Sequence, residues 1–175
     1  MSTPSATPPD SSPVISSTLS AGGPTDEPIL SRAAIAGHPL HPMLIHFPVA
    51  ALIGLVGADA AYVWNGDPFW ARAGLWLSGV GALGGWGASV AGLVDLITVG
   101  RIRRLVTAWG HALIAVMMLS MASMNWMLRL GGEPGANVVP WGAGITGVTA
   151  AFIALAAYLG GRLVYEHAVA VDTSD

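Results

Sequence analysis

Ala73-Gly74-Leu75-Trp76-Leu77-Ser78-Gly79-Val80-Gly81-Ala82-Leu83-Gly84-Gly85-Trp86-Gly87-Ala88-Ser89 opens an apolar run that continues to Val99, with Asp95 as its one charged residue. A bilayer core of roughly 30 Å takes about 20 apolar residues as helix, so this run is long enough to span one. Three more runs of that kind flank it, at about 43–63, 105–128 and 141–165. The connections are short: 64–72, 100–104 and 129–140. Short loops favour antiparallel neighbours. The expected fold is therefore all-α, a polytopic membrane protein built as an up-down four-helix transmembrane bundle over residues 37–171.

Composition agrees with lipid as the surrounding solvent. Hydrophobic residues make up 53% of the 175 and charged residues 10%, against about 25% charged in a soluble domain. All seven basic residues are arginine, cysteine is absent, and the formal charge is −3. The missing thiols exclude disulfides, thiolate zinc sites, cysteine-ligated clusters and thioether-attached haem within the chain. No basic stripe is present, so nucleic acid is excluded as a partner. No catalytic serine signature, HExxH motif or phosphate-binding glycine loop supports an enzyme acting alone. No inverted repeat of the transporter kind is visible.

Residues 1–36 read as a disordered N-terminal tail, rich in Ser, Thr, Pro and Ala and without a signal-peptide pattern. The tail is expected to end in a brief interfacial helix over 28–37, and 172–175 form a short C-terminal tail. Trp64, Trp70, Trp126 and Trp141 fall at one set of span ends; Trp109, Tyr158 and Tyr165 lie toward the other. Arg32, Arg101, Arg103, Arg104 and Arg162 share that second side, with Arg72 and Arg129 opposite. The positive-inside rule then puts both termini in the cytoplasm of a bacterial inner membrane.

This topology brings His38, His41, His46, His111 and His167 to one side. His46 and His111 lie at matching depth on diagonal helices. They are the expected axial ligands of a non-covalent haem b, with Arg101, Arg103 and Arg104 placed to pair with its propionates. The other metal reading gathers His41, His46, His111 and His167, with Asp95, around a transition-metal ion. Asp95 can instead orient an imidazole, or pair with Arg101 or Arg104. His38 and His41 also suit an interfacial role beside Pro39 and Pro42, and His167 suits the C-terminal dipole of its helix.

Asp59 and Arg72 form an expected structural ion pair on the opposite side, with Asn125 near enough to join. Small residues recur every four positions at Gly81, Gly85 and Ser89, and at Gly84, Ala88 and Gly92. They allow close helix approach, or leave room for a flat macrocycle or a quinone; Gly144, Gly147 and Ala151 fit both. Met117, Met118, Met121, Met124 and Met127 cover more than one helical face and read as packing residues.

The stretch Gly37-His38-Pro39-Leu40-His41-Pro42-Met43-Leu44-Ile45-His46-Phe47-Pro48-Val49-Ala50 resembles the opening of a bacterial predicted membrane protein family, domain of unknown function 2231. The likeness continues through Ala91-Gly92-Leu93-Val94-Asp95 and His111 to Gly160-Gly161-Arg162-Leu163-Val164-Tyr165-Glu166-His167, covering about residues 36–171. It implies four membrane helices and brings no established activity. Relatives joined to Rieske-type or sugar-dehydrogenase-type domains imply a redox setting. A separate redox protein, a larger membrane complex or a homo-oligomer would then be the partner, besides the lipid bilayer. The reading of a different class is a non-catalytic membrane scaffold or accessory subunit.

Overall fold

The computed structural model describes residues 28–171. The expected disorder of residues 1–27 and the short tail at 172–175 lie outside them.

Four long helices carry the fold: α1 (Leu40–Asn65), α2 (Pro68–Thr98), α4 (Val106–Arg129) and α5 (Ala143–His167); α3 (Gly100–Arg103) is a single turn between α2 and α4. Each long helix is long and apolar enough to cross a bilayer, the fourth counted from Val138. The α1–α2 connection shows how the chain reverses. Gly66 takes a left-handed conformation (φ 68°) and its N–H bonds to the Tyr62 carbonyl. Asp67 then caps α2, accepting from the Phe69 N–H at 2.8 Å, and Pro68 occupies the first helical position. Glycine past one helix, then an acid cap and proline starting the next, make a sharp stop and start.

Around the bundle the order is α1, α2, α4, α5, so α1 lies diagonal to α4 and α2 diagonal to α5. The core joins Leu52 and Leu55 of α1, Ala82 of α2, Met118, Leu119 and Ala122 of α4, and Ile153 of α5. Glycines on α2 accept its larger side chains. A Cβ at Gly81 would run into Leu52, one at Gly85 into Leu119, and one at Gly79 into Trp126. These notches are filled by protein side chains, which is the close-packing role. Gly144 and Gly147 have open space where a Cβ would stand and take no part in this seam. Met118 is buried while Met117, Met124 and Met127 are exposed, so the methionines serve several faces of α4.

Gly81→Val is expected to destabilise the bundle by about 1–3 kcal/mol through overpacking against Leu52. Gly87→Val, where nothing lies within 4 Å, is expected to leave it unchanged. Unfolding of the two variants in detergent checks the contrast.

Residues 28–39 differ from the expected interfacial helix. They form a strap across the helix ends. Strands β1 (Ala34–Ile35) and β2 (His38–Pro39) pair antiparallel around Ala36 and Gly37, both at positive φ (50° and 80°). Two successive positive φ values define a tight hairpin turn that glycine favours. Before the hairpin, Ile29 bridges to Val169 beyond the end of α5. The apolar residues that suited an interfacial helix instead serve a hydrogen-bonded strap anchored at both ends.

Candidate functional site

The two histidines that meet are His41 and His111. Their ring centroids stand 6.2 Å apart with planes at 85°. His41, in the first turn of α1, places Nδ1 2.9 Å from the Ala88 carbonyl of α2. His111, on α4, places Nδ1 3.0 Å from the Ala156 carbonyl of α5. A carbonyl only accepts, so each Nδ1 carries the proton, and in the neutral ring Nε2 keeps its lone pair. A backbone carbonyl fixing one ring nitrogen is how metal-binding imidazoles are oriented. Glycine makes room for both rings: a Cβ at Gly92 would stand 3.0 Å from His41 Nδ1, and one at Gly160 3.3 Å from His111 Cε1.

His46 does not join them. Five residues along an α-helix turn a side chain about 140° around the axis, and His46 is exposed on the outer face of α1. The expected His46–His111 pair is therefore replaced by His41–His111. His38 turns back on the hairpin, Nδ1 2.9 Å from the Ala36 carbonyl, and His167 closes α5. Among the described residues no group of three or more His, Asp or Glu converges as a metal-ligand set. The expected cluster of His41, His46, His111, His167 and Asp95 is thus not assembled.

Asp95 orients no imidazole here. Its carboxylate accepts from Ser31 Oγ (2.5 Å) and from the backbone N–H groups of Arg32 (2.8 Å) and Ala33 (2.9 Å). Arg101 and Arg103 lie on α3 and Arg104 caps it, at the same end of the bundle as the histidine pair. Arg101 reaches the Pro28 carbonyl at 3.5 Å.

At the opposite end the buried ion pair is Asp59–Arg129, which corrects the expected Asp59–Arg72. Arg129 Nη1 and Nη2 donate to the two Asp59 oxygens at 2.9 and 2.7 Å. Arg129 Nε donates to Asn125 Oδ1 at 2.9 Å. Asn125 Nδ2 donates to Thr146 Oγ1 at 2.8 Å, and Thr146 donates to Asp59 at 2.6 Å. Asp59, Arg129, Asn125 and Thr146 are 4, 9, 0 and 3% exposed, so the charges are desolvated and must be paired. Gly74 gives the guanidinium its space; a Cβ there would stand 2.6 Å from Nη1. Arg72 is exposed on α2 and lines a small cavity of about 120 Å³ beside Arg129.

One interval in the sequence locates both pairs. His41 to Asp59 and His111 to Arg129 each span 18 residues, five helical turns or about 27 Å. The two residues that bound each interval therefore share one face of α1 and of α4 and meet across the diagonal, near opposite surfaces of a bilayer. The partner helices repeat as well. Gly74, Ser78, Ala88 and Gly92 of α2 match Gly142, Thr146, Ala156 and Gly160 on the last span, each 68 positions on. The two helical hairpins thus place like residues at corresponding levels, in the manner of parallel repeats. At these levels His41 meets His111, and Asp59 meets Arg129.

Four long apolar helices, packed through glycine and closed by buried polar contacts at both ends, define a four-span integral membrane protein. The family described as Predicted membrane protein (DUF2231) matches residues 37–173, and the chain belongs to it. No curated protein and no solved structure matches the chain.

Proposed function

We propose that the protein is a redox subunit of a bacterial cytoplasmic membrane that holds haem b between His41 and His111. The observation that carries this reading is the edge-on pair of neighbouring imidazoles, each with Nδ1 bound to a helix carbonyl. His41 and His111 are the two residues that would hold the group, each through its Nε2. Bound haem would supply one-electron chemistry; the chain supplies the ligands, their orientation and an apolar surround.

Both termini face the cytoplasm in this reading, because Arg32, Arg101, Arg103, Arg104 and Arg162 sit at the histidine end. The three arginines in and beside α3, at that end of the bundle, would pair with anionic propionates there. Electrons would pass to or from a separate redox protein or a larger membrane complex.

Protein purified from cells supplied with haem is expected to give a reduced-minus-oxidised visible spectrum with the bands of a six-coordinate b-type cytochrome. Colourless protein under those conditions sinks the proposal. It would favour a non-catalytic scaffold, the reading supported by the filled glycine notches and by the lack of a three-ligand set among the described residues.

A further inference from the structure

Asp95 has no polar counterpart in the second half of the chain. Asp95 of α2 corresponds to Leu163 of α5, again 68 positions on. Asp95 is 8% exposed, and the groups that donate to its carboxylate belong to the strap: Ser31, Arg32 and Ala33. The strap is pinned on the far side too. Ile29 N–H donates to the Ala168 carbonyl at 2.9 Å, and Ala170 N–H donates to the Ile29 carbonyl at 2.8 Å. Its last strand runs directly into α1, where His41 is the second residue.

The Ile29 side chain, 5% exposed, packs in an apolar cluster with Leu96, Ile102 and Ala108, flanked by Leu163. Three of the helical members lie one turn outward of a residue in the histidine site. Ala108 is three before His111, Leu96 four after Gly92 and Leu163 three after Gly160. One turn is about 5.4 Å of helix. The cluster stands one turn outward of the two half-buried imidazoles at that end of the bundle.

We infer that residues 28–39 are a lid over the His41–His111 site and that Asp95 is its latch, a positioning residue that touches neither imidazole. Asp95 fixes the lid through bonds to a carboxylate, which are stronger than those to a neutral acceptor. The same bonds fix the approach of the chain to His41. The lid governs whether water, protons or a polar reagent reach the two free Nε2 atoms. The inference rests on the His41–His111 pairing and is independent of which group the pair binds.

The test is modification by diethyl pyrocarbonate of the full-length protein made without added haem and free of haem absorbance, followed histidine by histidine by mass spectrometry. In the unaltered protein His41 and His111 should react slowly and the exposed His46 quickly. Asp95→Ala and Ile29→Ala should each speed modification of both paired histidines by about tenfold, the scale of losing one hydrogen bond to a charged group. Asp95→Asn, which keeps one acceptor oxygen, should fall between. His46 should not change. A Ser78→Cys reporter, at a fully buried position of α2, should stay closed to maleimide in every variant. Unchanged rates at His41 and His111 overturn the lid. So does acceleration accompanied by labelling at the reporter, because the whole bundle has then opened. The reaction needs no haem, so failure of the haem proposal leaves this result interpretable by itself.

Discussion

Asp59→Ala is expected to destabilise the folded bundle by about 3–5 kcal/mol, because it strands the Arg129 guanidinium in a buried site without its counter-charge. Arg129→Ala should cost a similar amount by stranding Asp59. The two losses should not add. The Asp59→Leu/Arg129→Met double variant removes both charges, and replacing a buried ion pair by apolar groups of similar volume is often neutral or stabilising. Asn125 and Thr146 keep each other as partners in that variant, which limits the residual cost. An exposed pair provides the contrast. Arg162 and Glu166, one turn apart on α5, are accessible to their surroundings, so Arg162→Ala should change stability little. Unfolding in mixed micelles, followed by helical circular dichroism, measures all four.

The second large effect concerns the histidines. His41→Ala and His111→Ala are each expected to abolish the haem spectrum proposed above, since each would remove one of the two residues proposed to hold the group. His46→Ala should leave it intact, because its side chain lies on the outer face of α1. A spectrum lost in His46→Ala and kept in His41→Ala would return the ligand role to the deeper residue. Both ligand variants should retain the fold. His41 and His111 lie at one end of the bundle, whereas the core around Leu52, Leu119 and Ala122 lies between the two polar ends.

The architecture is largely legible in the sequence because it depends on run length and loop length. Four apolar runs with short connections leave few alternatives to an up-down bundle, and the Gly66-Asp67-Pro68 signal marks a helix end and the next start. Angular position around each helix is harder to read. His46 matches His111 in depth, and depth is the quantity that the spans supply. Depth does not say which way a side chain points, and the 140° between His41 and His46 decides the pair. Arg72 is the basic residue nearest to Asp59 across the loop, yet Arg129, 70 positions away, holds the site. The equal 18-residue intervals on α1 and α4 are the signal that identifies it. Asp95 is illegible for a different reason. Two of its three donors are backbone N–H groups of the strap, and no residue type announces a backbone donor.

The pairing of His41 with His111 is the claim on which the site depends, and a cysteine-free chain makes it directly measurable. The His41→Cys/His111→Cys and His46→Cys/His111→Cys double variants each contain two thiols and no others. Treated in membranes with a short bifunctional thiol reagent, the first should form an intramolecular cross-link, seen by intact mass and by resistance to further alkylation. The second should remain open to alkylation at both thiols. A cross-link in the His46→Cys/His111→Cys variant, and none in the His41→Cys/His111→Cys variant, would contradict the site described for this bundle.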